Sequence, residues 1–135
     1  MSNALTESRF SLKDQVFFAK RLSFLINAGV TPVEGLGVLR EQMSSRGKAR
    51  VLDLVLLDVT NGQTLAKSFA KFPKVFSDFA IHIIKVGESS GTLAQNLEYL
   101  AEELKKKHVL RRKIISAFIY PTLITLATLG ITAFL

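Results

Sequence analysis

The C-terminal segment of the chain places the strongest constraint on its fold. Residues 114–135 contain no ionisable side chain except that of Tyr120. As an α-helix, a segment of this length would extend for about 33 Å, enough to cross a hydrocarbon core of roughly 30 Å. Pro121 lies within it, but a membrane helix tolerates proline where neighbouring groups satisfy the freed carbonyl. We therefore predict the start of a transmembrane helix over 114–135, with a buried core helix as the alternative.

A cluster of cations, here called the basic collar, directly precedes this apolar segment. Its members are Lys105, Lys106, Lys107, Arg111, Arg112 and Lys113. The chain has 18 Lys and Arg against 11 Asp and Glu, and the remainder outside the collar is almost balanced. Cations at one end of a span indicate its cytoplasmic side. A local basic excess of this kind favours membrane lipid with anionic head groups as a partner, and not nucleic acid.

The composition also limits the chemistry of the chain. It has no cysteine, which excludes disulfides and thiolate metal sites and fits a reducing compartment. We predict three parts. Residues 1–10 form a tag-like or disordered N-terminus, 11–113 form one cytoplasmic helical domain, and 114–135 begin the span.

The pattern of caps and apolar residues predicts an all-α fold. The predicted helices begin near Ser11, Thr31, Lys48, Thr64, Ser77 and Thr92. Ser11 with Asp14 and Thr92 with Gln95 have the spacing of capping boxes. A buried strand is the alternative for 48–60, because that segment is rich in Val and Leu. The last helix carries leucines at the spacing of an interface between packed helices. We therefore predict an antiparallel six-helix bundle whose last helix continues into the transmembrane span.

Residues 87–91 have the Gly-x-Ser-x-Gly pattern of a serine-hydrolase nucleophile elbow. That site needs a preceding strand and a later acid and histidine, and the only later histidine is His108, within the basic stretch. The alternative is a turn between two helices, at which the glycines provide backbone freedom and Ser90 or Thr92 caps the next helix. This turn interpretation predicts a break in the chain over 87–91.

Glu98 and Glu102 are weak candidates for a metal site. They lie one helical turn apart and could share a calcium ion with oxygens from a second subunit. The alternative is that both carboxylates are solvated on an outer face. Two distant histidines without cysteine do not predict a zinc site, and no phosphate-binding glycine loop occurs. We therefore predict no cofactor apart from this calcium ion.

Side-chain roles follow from helical spacing. We predict that seven phenylalanines belong to the core and do not form a base-stacking platform: Phe17, Phe18, Phe24, Phe69, Phe72, Phe76 and Phe79.

We predict two ion pairs on the exposed side of the last helix, Glu102–Lys106 and Glu103–Lys107. The two residues of each pair lie one helical turn apart.

Four segments together resemble a known family. They are 17–32, which ends Ala-Gly-Val-Thr-Pro; 62–76; 86–93, Val-Gly-Glu-Ser-Ser-Gly-Thr-Leu; and 117–121, Ala-Phe-Ile-Tyr-Pro. In this order they resemble the inner-membrane platform proteins of type II secretion and type IV pilus assembly (GspF/PilC-type). The resemblance extends over roughly residues 12–135. The motif positions that it marks are Gly29, Pro32, Gly87, Glu88, Ser90, Gly91, Tyr120 and Pro121.

The resemblance implies a non-enzymatic protein of the bacterial inner membrane. This chain would be the first cytoplasmic domain, a six-helix bundle that self-associates, followed by the start of the first span. The partners implied are a cytoplasmic hexameric assembly ATPase, other inner-membrane components of the machine, and pilin or pseudopilin. The absence of a helix breaker in 105–113 predicts that the bundle and span move as one rod.

Two other functions remain as alternatives. One is a small membrane-anchored serine hydrolase that uses the Gly-Glu-Ser-Ser-Gly motif of residues 87–91. The other is a basic adaptor at the membrane surface, unrelated to secretion.

Overall fold

A computed structural model describes residues 9–135, and within these the fold is entirely helical. We number the six helices in chain order as α1 to α6. They are α1 Leu12–Asn27, α2 Pro32–Glu41, α3 Arg46–Thr60, α4 Leu65–Ala70, α5 Asp78–Ser90 and α6 Leu93–Phe134. The predicted all-α class with six helices is confirmed. Residues 48–60 lie in α3, so the alternative of a strand there is wrong.

Local caps explain why most of these helices begin where they do. The Ser11 hydroxyl accepts from the Asp14 backbone N–H, and the Asp14 carboxylate accepts from the Ser11 backbone N–H, forming the predicted capping box. Thr31, Thr64 and Ser77 also cap their helices through their hydroxyl oxygens. Each side chain satisfies a backbone donor that would otherwise lack a partner.

All six helices contribute to one core. Its fully buried leucines and isoleucine include Leu22 in α1, Leu36 and Leu39 in α2, Leu52 in α3, Leu65 in α4, Ile84 in α5, and Leu97 and Leu100 in α6. The most extensive helix pair is α1 with α6. We call residues 9–104 the helical body, since Leu104 is the last buried residue of α6.

Three aromatic rings fix the position of α4 against α1. The ring centroids of Phe18, Phe69 and Phe76 lie 5.1 to 5.7 Å apart, in edge-on or tilted arrangements. Aromatic pairs favour such geometry because the positive ring edge meets a negative ring face. The phenylalanine prediction holds for these three and for Phe72.

The other three phenylalanines are exposed, so the core prediction is wrong for them. The exposed fractions are 38% for Phe17, 69% for Phe24 and 50% for Phe79. On α1, Phe18, Ala19 and Leu22 already fill the buried stripe, and neighbouring positions on a helix point in different directions.

The boundary between α5 and α6 also differs from expectation. Helix α5 continues through Gly87 to Ser90, so the predicted break over 87–91 is reduced to Gly91 alone. Thr92 makes no capping hydrogen bond through its side chain, and the predicted Thr92–Gln95 capping box is absent. Its ψ of 32° lies outside the extended region that a capping residue normally adopts.

Helix α6 extends far beyond the helical body. It has 42 residues, which corresponds to about 63 Å. Every described side chain from Val109 to Leu135 is exposed. In residues 9–135 it is the one helix that is long and apolar enough to cross a membrane, and no part of its most apolar stretch is buried. Nothing in the described residues buries this segment, which counts against the alternative of a buried core helix.

The predicted N-terminal part, 1–10, falls mostly outside the described residues. Phe10, its last residue, is 2% exposed and donates its backbone N–H to the Lys74 carbonyl. The boundaries at 11 and 114 stay predictions.

Candidate interaction surfaces

The α5–α6 junction brings together most of the motif positions. Gly87 lies in α5 where the helix comes closest to α6: a Cβ built there would be 2.9 Å from Leu93 Cα and 3.0 Å from Asn96 Cβ. No side chain fits in that space without displacing backbone. Gly91 then reverses the chain with a φ of 69°, a conformation that glycine adopts without a steric penalty. The two glycines therefore have a structural explanation.

Asn96 completes this junction. Its side-chain N–H₂ donates to the Ile83 carbonyl at 3.0 Å, which ties the first turns of α6 to the middle of α5. Sequence reasoning missed Asn96, because an asparagine in a helix carries no sign of a partner thirteen positions away.

The Glu88 side chain crosses from α5 to α4. Its carboxylate accepts from the backbone N–H groups of Leu65 and Ala66, the latter at 3.1 Å. These are two donors at the start of α4, and the Thr64 hydroxyl accepts from a third, the Lys67 N–H, at 3.1 Å. A negative group is favoured there because the partial positive charge of the helix is concentrated at its N-terminus. Glu88 therefore acts as a helix cap supplied by a different helix.

The two serines of the motif make local contacts only. The Ser89 hydroxyl donates to the carbonyls of Lys85 and Val86 within its own helix, and both Ser89 and Ser90 are exposed. The segment before them, 81–86, is helical. A nucleophile elbow requires a strand at that place, so the geometry of a serine hydrolase is absent from this motif.

Gly29 and Pro32 define the turn between α1 and α2. Gly29 has a φ of 94° and follows the end of α1. Pro32 is the first residue of α2, where its missing N–H costs nothing. Their roles are those of a helix stop and a helix start.

A groove of about 340 Å³ lies between α1 and α6, and both candidate metal ligands line it. Its other polar side chains include Lys20 and Lys105, while Phe24 and Ala101 supply apolar surface. Glu98 and Glu102 are exposed. Residues 9–135 hold no cluster of three or more His, Asp or Glu able to bind a metal. Calcium bound between two subunits stays a prediction.

The ion pairs on α6 differ from those predicted. Within the described residues, Lys106 pairs with Glu103 at 3.4 Å. The predicted partners were Glu102 for Lys106 and Lys107 for Glu103, each four positions away instead of three. Pairs three apart on a helix are close enough to interact, so both spacings were geometrically possible.

Two aspartates join helices through lysines. Asp58 in α3 accepts from Lys71 Nζ and from the Ser68 hydroxyl, each at 2.8 Å, and these hydrogen bonds lower the pKa of Asp58. Partial burial raises the pKa of Asp14, but its hydrogen bonds with Lys48 and Ser11 outweigh burial and leave that pKa lowered. Only the capping role of Asp14 was visible in the sequence.

The basic collar lies on the exposed part of α6 between the helical body and the apolar segment. Its six cations are exposed. From Leu104 to Ile114 the helix rises about 15 Å. The collar therefore surrounds a stretch of helix beyond the last buried residue, and Val109 and Leu110 are exposed within it.

Tyr120 and Pro121 lie within the apolar segment of α6 and are exposed. The chain remains helical through Pro121. Two hydroxyls reinforce the backbone beside it: Thr122 donates to the Phe118 carbonyl at 2.7 Å, and Thr125 donates to the Pro121 carbonyl at 2.8 Å. Threonine hydroxyls satisfied in this manner suit an apolar environment.

Comparison with known proteins identifies the family. The type II secretion system (T2SS) protein F family matches residues 18–135. Among curated proteins, a type IV pilus assembly protein PilC from Thermus thermophilus is 34% identical over 124 residues, which are 92% of this chain and 30% of the relative. A type II secretion system protein F from Vibrio cholerae is 32% identical over 125 residues, covering 93% and 31%.

The chain spans about 30% of the length of the curated relatives that it matches. The match includes the helical body from Phe18 onward, the basic collar and the apolar segment. Because it extends over most of the chain, the predicted resemblance is confirmed: this protein belongs to the type II secretion system protein F family, which also includes the type IV pilus assembly relatives named PilC.

Proposed function

We propose that this chain is a non-enzymatic platform component of a type II secretion or type IV pilus machine in the bacterial inner membrane. In that role it couples a cytoplasmic hexameric assembly ATPase to the assembly of pilin or pseudopilin, together with other inner-membrane components. The family match supports the machine, and the names of the relatives support both systems. The coupling role rests on the helix described below.

The proposed architecture is an antiparallel six-helix bundle. Its support is the order of contacts, in which consecutive helices pack on each other and the first packs on the last. Along α1 and α6 the contacts run in opposite directions: Ser23 donates to the Ala94 carbonyl at 2.7 Å, while Val16 shares the groove with Lys105.

The proposed topology places the bundle on the cytoplasmic side of the membrane. The basic collar supports it, since lysine and arginine are enriched on the cytoplasmic flank of spans. Moving a central Lys or Arg into hydrocarbon costs at least ~2.5 kcal/mol, so six cations fix the depth of the helix.

One observation carries the coupling role: α6 is continuous from Leu93 to Phe134. The same helix contributes Leu97, Leu100 and Leu104 to the core and then forms the apolar segment. A displacement of the bundle therefore passes into the membrane through a helix without a hinge. Val109 and Leu110 lie in its exposed stretch beyond the last buried residue, where changes leave the core untouched.

Glycine at Val109 and Leu110 tests this role. In the full protein in its native cell, the double variant V109G/L110G should introduce a flexible joint, because each glycine costs about 1 kcal/mol of helix stability relative to alanine. We expect loss of pilus assembly or secretion at normal protein levels. The matched control V109A/L110A removes the same side chains and keeps the helix, so it should retain function. Full function of the glycine variant would overturn the proposal.

Self-association is a further part of the proposal, with calcium between Glu98 and Glu102 of neighbouring copies as its weakest element. Sedimentation of the chain in mild detergent, with calcium or a chelator, tests it. An oligomer that calcium strengthens, and that E98Q/E102Q no longer responds to, supports the site. An unchanged oligomer excludes calcium but leaves self-association intact.

A further inference from the structure

We propose that the end of the helical body nearest the membrane also binds anionic phospholipid head groups, through Lys13, Arg46 and Lys74. This inference rests on the membrane span of the proposed function. The cations of the basic collar are neighbours in the sequence. Lys13, Arg46 and Lys74 come from distant segments of the chain, and the inference adds them to the lipid-binding surface because the fold places them near the collar.

The fold identifies which end of the body lies beside the collar. Along the α1–α6 contact, Ser23 meets Ala94, whereas Val16, seven residues earlier in α1, lines the same groove as Ala101 and Lys105. Continuing in the same direction, the start of α1 reaches the level of the first collar residues. Arg9 and Lys13 are therefore at this level, and both side chains are exposed.

Two further segments meet the start of α1. The Phe10 backbone N–H donates to the Lys74 carbonyl at 3.3 Å. Lys48, in the first turn of α3, pairs with Asp14 at 2.7 Å. We name this surface the collar-side end and define it as residues 9–14, 41–48 and 74–78.

Cations are in excess at the collar-side end. Arg9, Lys13, Arg46 and Lys74 are exposed there, and Lys48 and Asp14 neutralise each other. The remaining acidic residues of these segments are Glu41 and Asp78. Toward the opposite end, where Gly29, Asn61 and Gly91 form turns, the exposed cations of the described residues include Lys67 and Lys85.

The collar-side end and the opposite end of the helical body lie at different distances from the bilayer. Residues level with Lys105 lie about 14 Å along α6 from Ile114, and residues level with Ala94 lie about 30 Å away. Head groups occupy roughly 5–7 Å on each side of the hydrocarbon. The collar-side end is thus about 7 Å from the head groups, within a Debye length of about 8 Å, and the other end is roughly 23 Å away.

Matched lysines exist at the two ends. Lys13 and Lys74 belong to the collar-side end. Lys67 follows the α4 start bound by Glu88, and Lys85 lies beside the Ile83–Asn96 contact, so both belong to the far end. All four are exposed, and no ion pair in the described residues involves them. The double variants K13Q/K74Q and K67Q/K85Q change the net charge equally.

Energy transfer to labelled lipid measures how closely the body approaches the membrane. The chain has no cysteine, so Ser44→Cys places one label at the collar-side end and Asn61→Cys one at the far end. The whole chain is inserted into nanodiscs of phosphatidylcholine, alone or mixed with phosphatidylglycerol, that contain acceptor-labelled head groups. Insertion itself tests the span, so its failure is distinguishable from failure of this inference.

We expect greater transfer from the Ser44 label in the anionic discs, which added salt reverses. A membrane helix can tilt in the bilayer, so the body docks by tilting together with α6 and without a hinge. K13Q/K74Q should lower the ratio of docked to undocked chain about 30-fold, because each lysine near an anionic surface contributes on the order of 1 kcal/mol. K67Q/K85Q should leave the transfer unchanged. If K13Q/K74Q loses helicity, Arg9→Gln with Arg46→Gln replaces it.

Two results would overturn the inference. In one, transfer from the Ser44 label is the same in neutral and anionic discs, which would leave the surface free for a protein partner. In the other, both double variants reduce transfer equally, which would show that only net charge matters.

Discussion

The Glu88 carboxylate accepts a hydrogen bond from the backbone N–H of Leu65, so a residue near the end of α5 caps the start of α4. Helix α4 has only six residues. A helix this short is unstable alone, and its position depends on packing and on its caps. The contact therefore links a motif position to the orientation of Phe69, which α4 places in the aromatic cluster.

Replacing Glu88 with alanine should destabilise the helical body by about 2 kcal/mol, because two charge-assisted hydrogen bonds to helix donors are lost. Glu88→Gln, which keeps one acceptor oxygen, should cost less. Urea titration in mild detergent, followed by circular dichroism, gives both values. Glu41→Gln on the exposed end of α2 is the control and should change stability little. Equal stability of all three variants would contradict the capping role.

Gly87 and Gly37 provide a matched pair of glycine substitutions. A Cβ at Gly87 would meet the α6 backbone at 2.9 Å, whereas one at Gly37 in α2 would meet nothing within 4 Å. Gly87→Ala should destabilise the body by about 1–3 kcal/mol through overpacking. Gly37→Ala should stabilise it by about 0.5–1 kcal/mol, because alanine is the better helix former. The same urea titration measures both, and a stabilising Gly87→Ala would disprove the close approach of α5 to α6.

Helix starts could be predicted from the sequence because a cap and its partner lie three residues apart. Ser11, Thr31, Thr64 and Ser77 all follow that rule. The membrane segment was equally accessible, since it depends on a continuous apolar run and not on tertiary contacts. The structure confirms the caps, and it shows an exposed helix that is long and apolar enough to cross a membrane.

Contacts between distant positions could not be predicted. Glu88 and Leu65 are 23 positions apart, and Ser23 and Ala94 are 71 apart. Phe17 and Phe18 are equally apolar, and the sequence alone does not say which one faces the core; only the packing of α1 on α6 and α4 decides. Thr92 makes no cap because its backbone, directly after the left-handed Gly91, lies outside the extended region that a capping residue adopts.

The Asp58 cluster makes stability depend on pH in a defined direction. The hydrogen bonds from Lys71 and Ser68 hold the pKa of Asp58 below its ordinary value of 3.8. A carboxyl with a lowered pKa in the folded state stabilises the fold above its ordinary pKa, and that contribution is lost as the pH falls through the lowered value. Asp58→Asn should therefore be less stable than the wild type at pH 7, and the difference should shrink below about pH 4.

A double-mutant cycle with Lys71→Gln assigns that effect. If Lys71 causes the shift, Asp58→Asn should cost less stability in the Lys71→Gln background than in the wild type. Urea titrations from neutral to acidic pH provide the free energies of unfolding. A difference between the wild type and Asp58→Asn that stays constant over this range would refute the pKa assignment.

Alanine substitutions at one buried and one exposed serine test whether this chain is a platform protein or a serine hydrolase. Ser23 is 4% exposed and donates to the Ala94 carbonyl, so Ser23→Ala should cost about 1 kcal/mol. Ser89 is exposed and hydrogen-bonds only within its own helix, so Ser89→Ala should change stability by less than about 0.5 kcal/mol. It should also leave assembly of pili or secretion unchanged in the cell. Loss of function in a stable Ser89→Ala variant, together with an ester hydrolysis that the wild-type chain performs and the variant does not, would favour the hydrolase over the platform.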